Sequence, residues 1–480
     1  MQGTGMSSST FLKCVKCGEE YDPYPVLTVC SRCGSLLQYQ HTFDKTGDFF
    51  EGAGFWRYAK LLPPVRKKSV VTLGEGGTPL RRARNLSKKL GVKSLFLKDE
   101  TMNPTNSFRD RAATLMVSNA LDLGYRRVVC ASNGNLGASI AAYSAKAGVN
   151  STVVVPRRVD LGKLAQMHVY DAEIIEKGEI VDEAIAEAEK MADGSYQATP
   201  ELNPLTVEAQ KTISFEIFEQ QGVPNWLLVP TGSGSTAYSL WKGFLELQKL
   251  GLVKETPRIV VVQPLGCAPI TEAYNSNRRV VAVKNPETRA LALLVANPIY
   301  GELALRVVRE SNGTSVSVPD GSTMEAERLL AKTEGIFVEP ASATTIASLQ
   351  NLVSQGEISK SETVVCLMTA SGLKAPYVLE ALTKEQLESR RETLRVRPRG
   401  WDISTKLKIL RLLDMGDSYG YEIWKATGKK ISIQAVYHHL DEMERKNLVS
   451  SSTVDRRRYF TITEKGKRVL QALEELILLL

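Results

Sequence analysis

The chain lacks any apolar run of the ~18 residues that a membrane-crossing helix requires. Residues 1–10 are polar and hold no hydrophobic core of a secretory signal. Neither sign of charge dominates. The net charge of +8 over 480 residues permits an acidic partner without demonstrating one. Cysteine is too sparse for a disulfide framework: there are seven, four of them in two tight pairs. The other three, Cys130, Cys267 and Cys366, lie in apolar surroundings. Such usage points to a metal site and buried thiols in a reducing compartment. What remains is a hydrophobic content of 43% and a charged content of 24%, the balance of a soluble globular protein. Length leaves room for roughly three domains of about 150 residues each. The expectation is a cytoplasmic protein without membrane association.

The paired cysteines stand as Cys14-Val15-Lys16-Cys17-Gly18 and Cys30-Ser31-Arg32-Cys33-Gly34. Two such turns facing each other supply four thiolates in a tetrahedron, and four protein ligands leave no open catalytic position. Residues 11–40 are therefore expected to form a zinc ribbon with a structural ion held by Cys14, Cys17, Cys30 and Cys33. A redox-active pair and a metal-free remnant are the other readings. Residues 41–69 are expected to be an arm anchored on the next domain by Phe49, Phe50, Phe55, Trp56 and Tyr58.

From residue 70 to 388 strand-like runs alternate with amphipathic helical stretches. The strands are expected at residues 95–98, 128–131, 151–155, 226–229, 258–263 and 363–368, with helices at 112–123, 138–147 and 208–221. The alternation argues for an α/β fold with a parallel sheet covered on both faces, whose ligands bind at the carboxyl ends of strands. Three candidate loops follow such strands. The first is Ser132-Asn133-Gly134-Asn135-Leu136-Gly137. The second is Thr231-Gly232-Ser233-Gly234-Ser235-Thr236, whose amides and hydroxyls can surround a phosphate. The third is Thr369-Ala370-Ser371-Gly372-Leu373-Lys374.

These loops, and the stretch Asn103-Pro104-Thr105-Asn106-Ser107-Phe108-Arg109-Asp110-Arg111, resemble threonine synthases. Those enzymes belong to the tryptophan-synthase-β-like, fold-type-II class that uses pyridoxal phosphate (PLP). The segments Gly162-Lys163-Leu164-Ala165-Gln166, Asn203-Pro204, Gln210-Lys211-Thr212 and residues 335–343 resemble the family in the same collinear order, over about 300 residues, a domain-sized match. The resemblance implies a two-subdomain core. It also implies cofactor contacts from Asn135 at the ring oxygen, residues Gly232, Ser233, Gly234, Ser235 and Thr236 at the phosphate, and Thr369 beside the pyridine nitrogen.

The family motif runs Asn-Pro-Thr-Gly-Ser-Phe-Lys-Asp-Arg, and its lysine forms the Schiff base. Here Arg109 holds that place. A Schiff base needs a neutral amine. Arginine stays protonated, with a pKa above about 12, and only donates. Other departures sit close to the same chemistry: Asn106 and Ala209 replace glycines, Ser235 and Thr236 stand where glycine and asparagine are common, and Thr-Gly-His-Gly has become Thr-Ala-Ser-Gly. Nearby Lys98 could in principle supply another amine, although its Lys-Asp-Glu segment reads as structural. No catalytic residue is assigned.

Beyond a basic linker at residues 389–401, residues 402–480 show three helical patterns, two short strands around an arginine-rich tip, and a last helix. This is a winged helix-turn-helix layout. Gly420-Tyr421-Glu422-Ile423, Val436-Tyr437-His438-His439-Leu440 and Arg457-Arg458-Tyr459 resemble PadR-type regulators. Ser432 is the expected N-cap of the third helix. DNA contacts are expected from Gln434, Tyr437 and His438 on that helix and from Arg456, Arg457 and Arg458 at the wing. Val469, Leu473, Leu476 and Leu480 give the last helix a seam suited to a homodimer.

The combined expectation is a DNA-binding transcription regulator. Its central domain senses a small ligand: PLP held noncovalently, a PLP–amino-acid adduct, or a phosphorylated amino acid. The alternative is an active PLP-dependent threonine synthase or related lyase with an accessory DNA-binding domain.

Overall fold

The structure is a computed structural model that describes residues 10–43, 49–191, 193–375, 403–427, 432–454 and 457–478. Arg456, Leu480 and the linker at 389–401 lie outside the described residues, as do the side chains of Arg457 and Leu476. The chain forms two compact units, Met1–Leu382 and Thr383–Leu480.

The first unit begins with a small antiparallel sheet of β1 (Thr10–Cys14), β2 (Glu20–Tyr21) and β3 (Leu37–His41), ordered β2-β1-β3. Leu12 pairs with Tyr39, and Cys14 with Leu37. This sheet is fastened to the body behind it. Lys242 Nζ donates to the Tyr39 carbonyl at 2.6 Å, and Tyr238 donates to Gln38. His41 Nε2 lies 2.6 Å from a Glu208 carboxylate oxygen. Phe55 and Tyr58, on a short 3-10 helix (Phe55–Leu61), are buried, and Trp56 Nε1 donates to Thr114 at 3.0 Å. These aromatics anchor the arm through apolar area plus a satisfied polar tip.

The body contains two sheets. Its strands are β4 (Leu80–Arg82), β5 (Ser94–Asp99), β6 (Arg127–Ala131), β7 (Asn150–Val155), β8 (Glu173–Glu176), β9 (Tyr196–Gln197), β10 (Trp226–Pro230), β11 (Arg258–Pro264), β12 (Thr314–Val318) and β13 (Thr363–Met368). The larger sheet runs β12-β11-β10-β13-β5-β4 and the smaller β8-β7-β6-β9. Every pairing is parallel except β4 against β5 at one edge. Strands β10 and β13 are near-continuous apolar runs, which suits burial on both faces. β12, Thr-Ser-Val-Ser-Val, is a short alternating strand at one edge of the larger sheet.

The helix Leu205–Gln221 runs through the interior with polar residues buried around it, so it lacks one apolar stripe. Its Glu208 receives Lys211 at 2.6 Å and also Lys242. Burial alone raises this carboxyl's pKa; those ammonium groups reverse the effect and hold it well below the usual range.

In the second unit the helices are Ile403–Asp414, Gly420–Ala426, Ile433–Arg445 and Glu464–Leu478. The strands β14 (Ser418–Tyr419), β15 (Val449–Val454) and β16 (Arg457–Ile462) form an antiparallel sheet in the order β14-β16-β15. Val436, Leu440 and Met443 bury one face of the third helix against Ile409, Leu410, Ile423 and Phe460. Ser432 Oγ accepts from the Ala435 amide at 3.2 Å and so caps that helix. Leu470 of the last helix is buried in this same core, with Val469 and Leu473 packed beside it. The upper part of the expected seam therefore serves its own module.

Candidate ligand cleft, cysteine cluster and DNA-facing helix

The Asn103-to-Arg111 stretch connects β5 to the helix Asp110–Asp122. Asn106 takes a φ of 59°, a left-handed conformation that asparagine tolerates better than most side chains. The backbone bend expected of the family's glycine is thus kept. Backbone hydrogen bonds then tie this loop to the one after β13: the Phe108 amide to Thr369 O at 2.9 Å, and the Ser371 amide to Asn106 O at 3.0 Å. Arg109 is consequently held at the helix start beside Thr369.

One cleft gathers Arg109, Asn133, Asn135, Glu201, Gly232, Ser233, Thr236, Glu339 and Thr369, together with the apolar Ala292, Leu293 and Val295. It encloses about 650 Å³ of empty space, its solvent mouth included. Of the residues expected at the cofactor, Asn135, Gly232, Ser233, Thr236 and Thr369 line it. Gly234 and Ser235 do not. Gly234 takes a φ of 94° ahead of the helix Ser235–Lys249, and an added Cβ there would sit 2.7 Å from Tyr300 O. Its role is to shape the loop. Ser235 Oγ lies 3.1 Å from Ser233 Oγ. Thr369 Oγ1 lies 2.8 Å from Ser342 Oγ.

The charges in the cleft are unusual. Asn135 Nδ2 donates to both Glu339 oxygens at 3.0 Å, and Lys163 Nζ lies 3.1 Å from the same carboxylate, so Glu339 is satisfied. Glu201 is only 5% exposed. Its Oε2 has no partner. Burial pushes the Glu201 pKa up, and the Arg109 charge pulls it back only in part. Arg109 stacks on the Phe108 ring with its guanidinium carbon 4.7 Å from the centroid. Its buried Nη1 has no partner. Burial lowers the Arg109 pKa. Among the described residues no ion pair joins Arg109 to Glu201. The Asn135 Oδ1 atom is also unpartnered.

The loop at 232–236 and its helix start suit an anion, but no lysine lines the cleft. Lys98 Nζ lies 2.6 Å from Glu216 and donates to Thr78 O at 2.7 Å. Lys163 pairs with Asp160 at 2.6 Å as well as with Glu339. Lys374 Nζ donates to Thr105 O at 2.7 Å, and burial pushes its pKa down to about 8. Glu201 lines the same cleft as Gly232, Ser233 and Thr236 of that loop. The residues lining the cleft therefore offer no amine for a covalently held PLP.

Glu201 was missed at the sequence level, although it stands two places before the matched Asn203-Pro204. A single carboxylate in the neutral stretch between Gln197 and Asn203 was the available signal. The segment with Ala292 to Val295 carried no signal.

The four cysteines of the ribbon converge. Cys14 Sγ is 3.5 Å from Cys33 Sγ, and Cys17 Sγ is 3.6 Å from Cys30 Sγ. A tetrahedron with zinc–sulfur bonds of ~2.3 Å has edges of about 3.8 Å, so the donor set fits zinc. Gly18 and Gly34 follow the pairs with φ of 74° and 67°. The turns bring the Lys16 and Cys17 amides within 3.4 Å of Cys14 Sγ. A second cluster, His41, Glu208 and Glu246, is already neutralised by Lys211 and Lys242.

On the third helix of the second unit, Gln434 and His438 are exposed. Tyr437 is half-buried against Gly420, where an added Cβ would meet its ring at 2.3 Å. Arg458 folds back: Nη1 lies 3.0 Å from Asp441, Nη2 pairs with Glu444, and Nε donates to Ser451 at 3.0 Å. The side chain expected to reach outward from the wing thus ties the wing to the helix.

With this geometry established, the chain belongs to the pyridoxal-phosphate dependent enzyme family, whose pattern it matches over residues 71–370. Residues 409–472 match the transcriptional regulator PadR-like family. Among individual relatives, the chain is 40% identical over 388 residues to threonine synthase of Methanocaldococcus jannaschii, covering 78% of this chain and 96% of that one. It is 39% identical over 384 residues to threonine synthase of Methanosarcina acetivorans, covering 78% and 94%. Among solved structures, a threonine deaminase isoform from Solanum lycopersicum aligns with a TM-score of 0.57 and 22% identity, covering 71% of this chain and 92% of that one. Maize serine racemase aligns with a TM-score of 0.56 and 20% identity, covering 65% and 93%. At that identity the structures speak for the shared fold alone. Among the described residues no helix is long and apolar enough to cross a membrane.

Proposed function

We propose that this protein is a DNA-binding transcription regulator whose threonine synthase-like unit takes up a small ligand without Schiff-base chemistry. One observation carries the reading: Arg109 occupies the place of the reactive lysine, in a cleft that no lysine lines. A permanently protonated guanidinium neither condenses with an aldehyde nor abstracts a proton as a general base. It can hold an anion. The PadR-like match supplies the output. The helix Ile433–Arg445 enters the major groove and presents Gln434 and His438, with Tyr437 at its base. Arg456 and Arg457 meet the backbone, and Arg458 joins them if its carboxylate partners yield to phosphate. Two copies pair through the last helix and address two half-sites, in the cytoplasm. Ligand occupancy changes DNA affinity.

The second reading is an active threonine synthase with an accessory DNA-binding domain. The 40% identity across nearly the whole length of a threonine synthase favours it. One experiment divides the two. Protein incubated with PLP is reduced with borohydride, digested and mapped. A lysine-linked phosphopyridoxyl peptide, together with threonine formation from O-phosphohomoserine, supports the second reading. Absence of both, with salt-dependent binding of promoter DNA by the full chain, supports the first.

A further inference from the structure

The cleft leaves three buried polar atoms without partners: Arg109 Nη1, Glu201 Oε2 and Asn135 Oδ1. Buried polar atoms are normally satisfied, and a group left open costs the full penalty of its desolvation. The three are not interchangeable. Arg109 can only donate and carries positive charge. The ionised Glu201 carboxylate and the Asn135 carbonyl can only accept. Glu201 is nine-tenths buried, with its Oε2 left open. Arg109 and Glu201 attract each other across the cleft without an ion pair forming between them. The other charged lining group, Glu339, is already closed by Asn135 Nδ2 and Lys163.

A simple anion would satisfy Arg109 but face the Glu201 carboxylate. A simple amine would satisfy Glu201 but face the guanidinium. A molecule with both charges a few ångströms apart satisfies both at once. We propose that the ligand of this cleft is a free α-amino acid bound as its zwitterion, with its carboxylate on Arg109 and its ammonium on Glu201 and Asn135. The proposal rests on the reading of the unit as a ligand receptor and names the ligand's chemical class. The ammonium supplies three donors, enough for Glu201 Oε2 and Asn135 Oδ1 together. The side chain of the amino acid then lies toward the loop at 232–236 and the apolar Leu293 and Val295. No bond is made or broken.

The test is isothermal titration calorimetry on the full-length protein with each of the twenty common L-amino acids, O-phospho-L-serine, PLP and inorganic phosphate. Every amino acid that binds is compared with the matching 2-hydroxy acid, which lacks the ammonium, and the matching amine, which lacks the carboxylate. The expected result is that at least one amino acid binds and both matched compounds bind on the order of 10- to 100-fold more weakly. Glu201→Gln should erase most of the preference over the hydroxy acid. Arg109→Met should erase most of the preference over the amine. Retained circular dichroism and thermal midpoint show that each variant is folded, and Glu201→Gln keeps the shape of the side chain. Binding of none of the amino acids, or amino-acid binding indifferent to both substitutions, overturns the proposal. So does binding confined to PLP or phosphate. A lysine-linked adduct after borohydride sinks the receptor reading itself, whereas failure of the amino acids to bind without such an adduct sinks only the ligand class.

Discussion

Lys98 and Glu216 form a buried ion pair, Nζ to Oε2 at 2.6 Å, and Arg111 closes on the same carboxylate with Nη1 at 2.6 Å. Arg111 also holds Glu100 at 2.8 Å. Burial alone raises the Glu216 pKa, but Arg111 and Lys98 reverse this and hold it far below the usual range. Lys98 is therefore a strut between β5 and the helix Leu205–Gln221. Removing one member of a fully buried charge network typically costs about 3–5 kcal/mol. Lys98→Met should lower stability by that order in urea unfolding. Borohydride trapping should find no adduct at residue 98.

Glu201 makes the opposite prediction. Its folded-state pKa is raised by burial. Between the unfolded value and the folded one, the folded chain binds more protons than the unfolded chain. Stability from this group is thus lost as pH climbs through that window and is regained on acidification. Glu201→Gln removes the buried charge and should raise the thermal midpoint at neutral pH. The difference should vanish toward pH 4. Calorimetric melting of both proteins across pH checks the sign.

The cleft's own carboxylate also bears on attempts to restore the family chemistry. Arg109→Lys returns an amine to the motif, but leaves the Glu201 carboxylate in the same cleft as the loop at 232–236. The double change Arg109→Lys with Glu201→Gln should hold PLP at least about tenfold more tightly than Arg109→Lys alone. Titration followed by the colour of the lysine-linked cofactor measures this.

The frame was largely readable in advance because strands such as β10 and β13 are uninterrupted apolar runs, and β6 and β7 are rich in valine. The cysteine turns were readable because ligand spacing and the following glycine carry their own geometry. Glu201 was not readable. Its significance depends on where its carboxylate points and on what fails to meet it, and neither leaves a periodic trace. The ion pairs of Arg458 were not readable for a related reason. A triplet of arginines looks like an outward patch until Asp441 and Glu444 of the facing helix are in place.

The ribbon's donor set should bind one zinc ion per chain, measured by elemental analysis of the purified protein. Chelation, or Cys14→Ser, should lower the thermal midpoint of the first unit. The reason is that binding free energy of a structural ion is folding free energy, and that Gln38, Tyr39 and His41 attach the ribbon to the body.

In the second unit, Gln434→Ala should cost about 1–3 kcal/mol of discrimination against altered operator sequences, as expected for a lost base contact. Arg458→Ala should act differently. Its exposed ion pairs are worth less than about 1 kcal/mol to stability, so the variant should remain folded and change the salt slope by at most about one unit. Competition binding at several salt concentrations separates the two effects.

Ser107 pairs with Ala370, and Val338 with Ser371, as isolated backbone bridges. Three segments distant in sequence are thereby joined through amide and carbonyl groups that every non-proline residue possesses. The walls of the cleft hold their positions whichever side chains project inward. A lineage starting from such an architecture can exchange reacting groups for recognising ones by point substitution, and conversion from catalyst to receptor then requires no new fold.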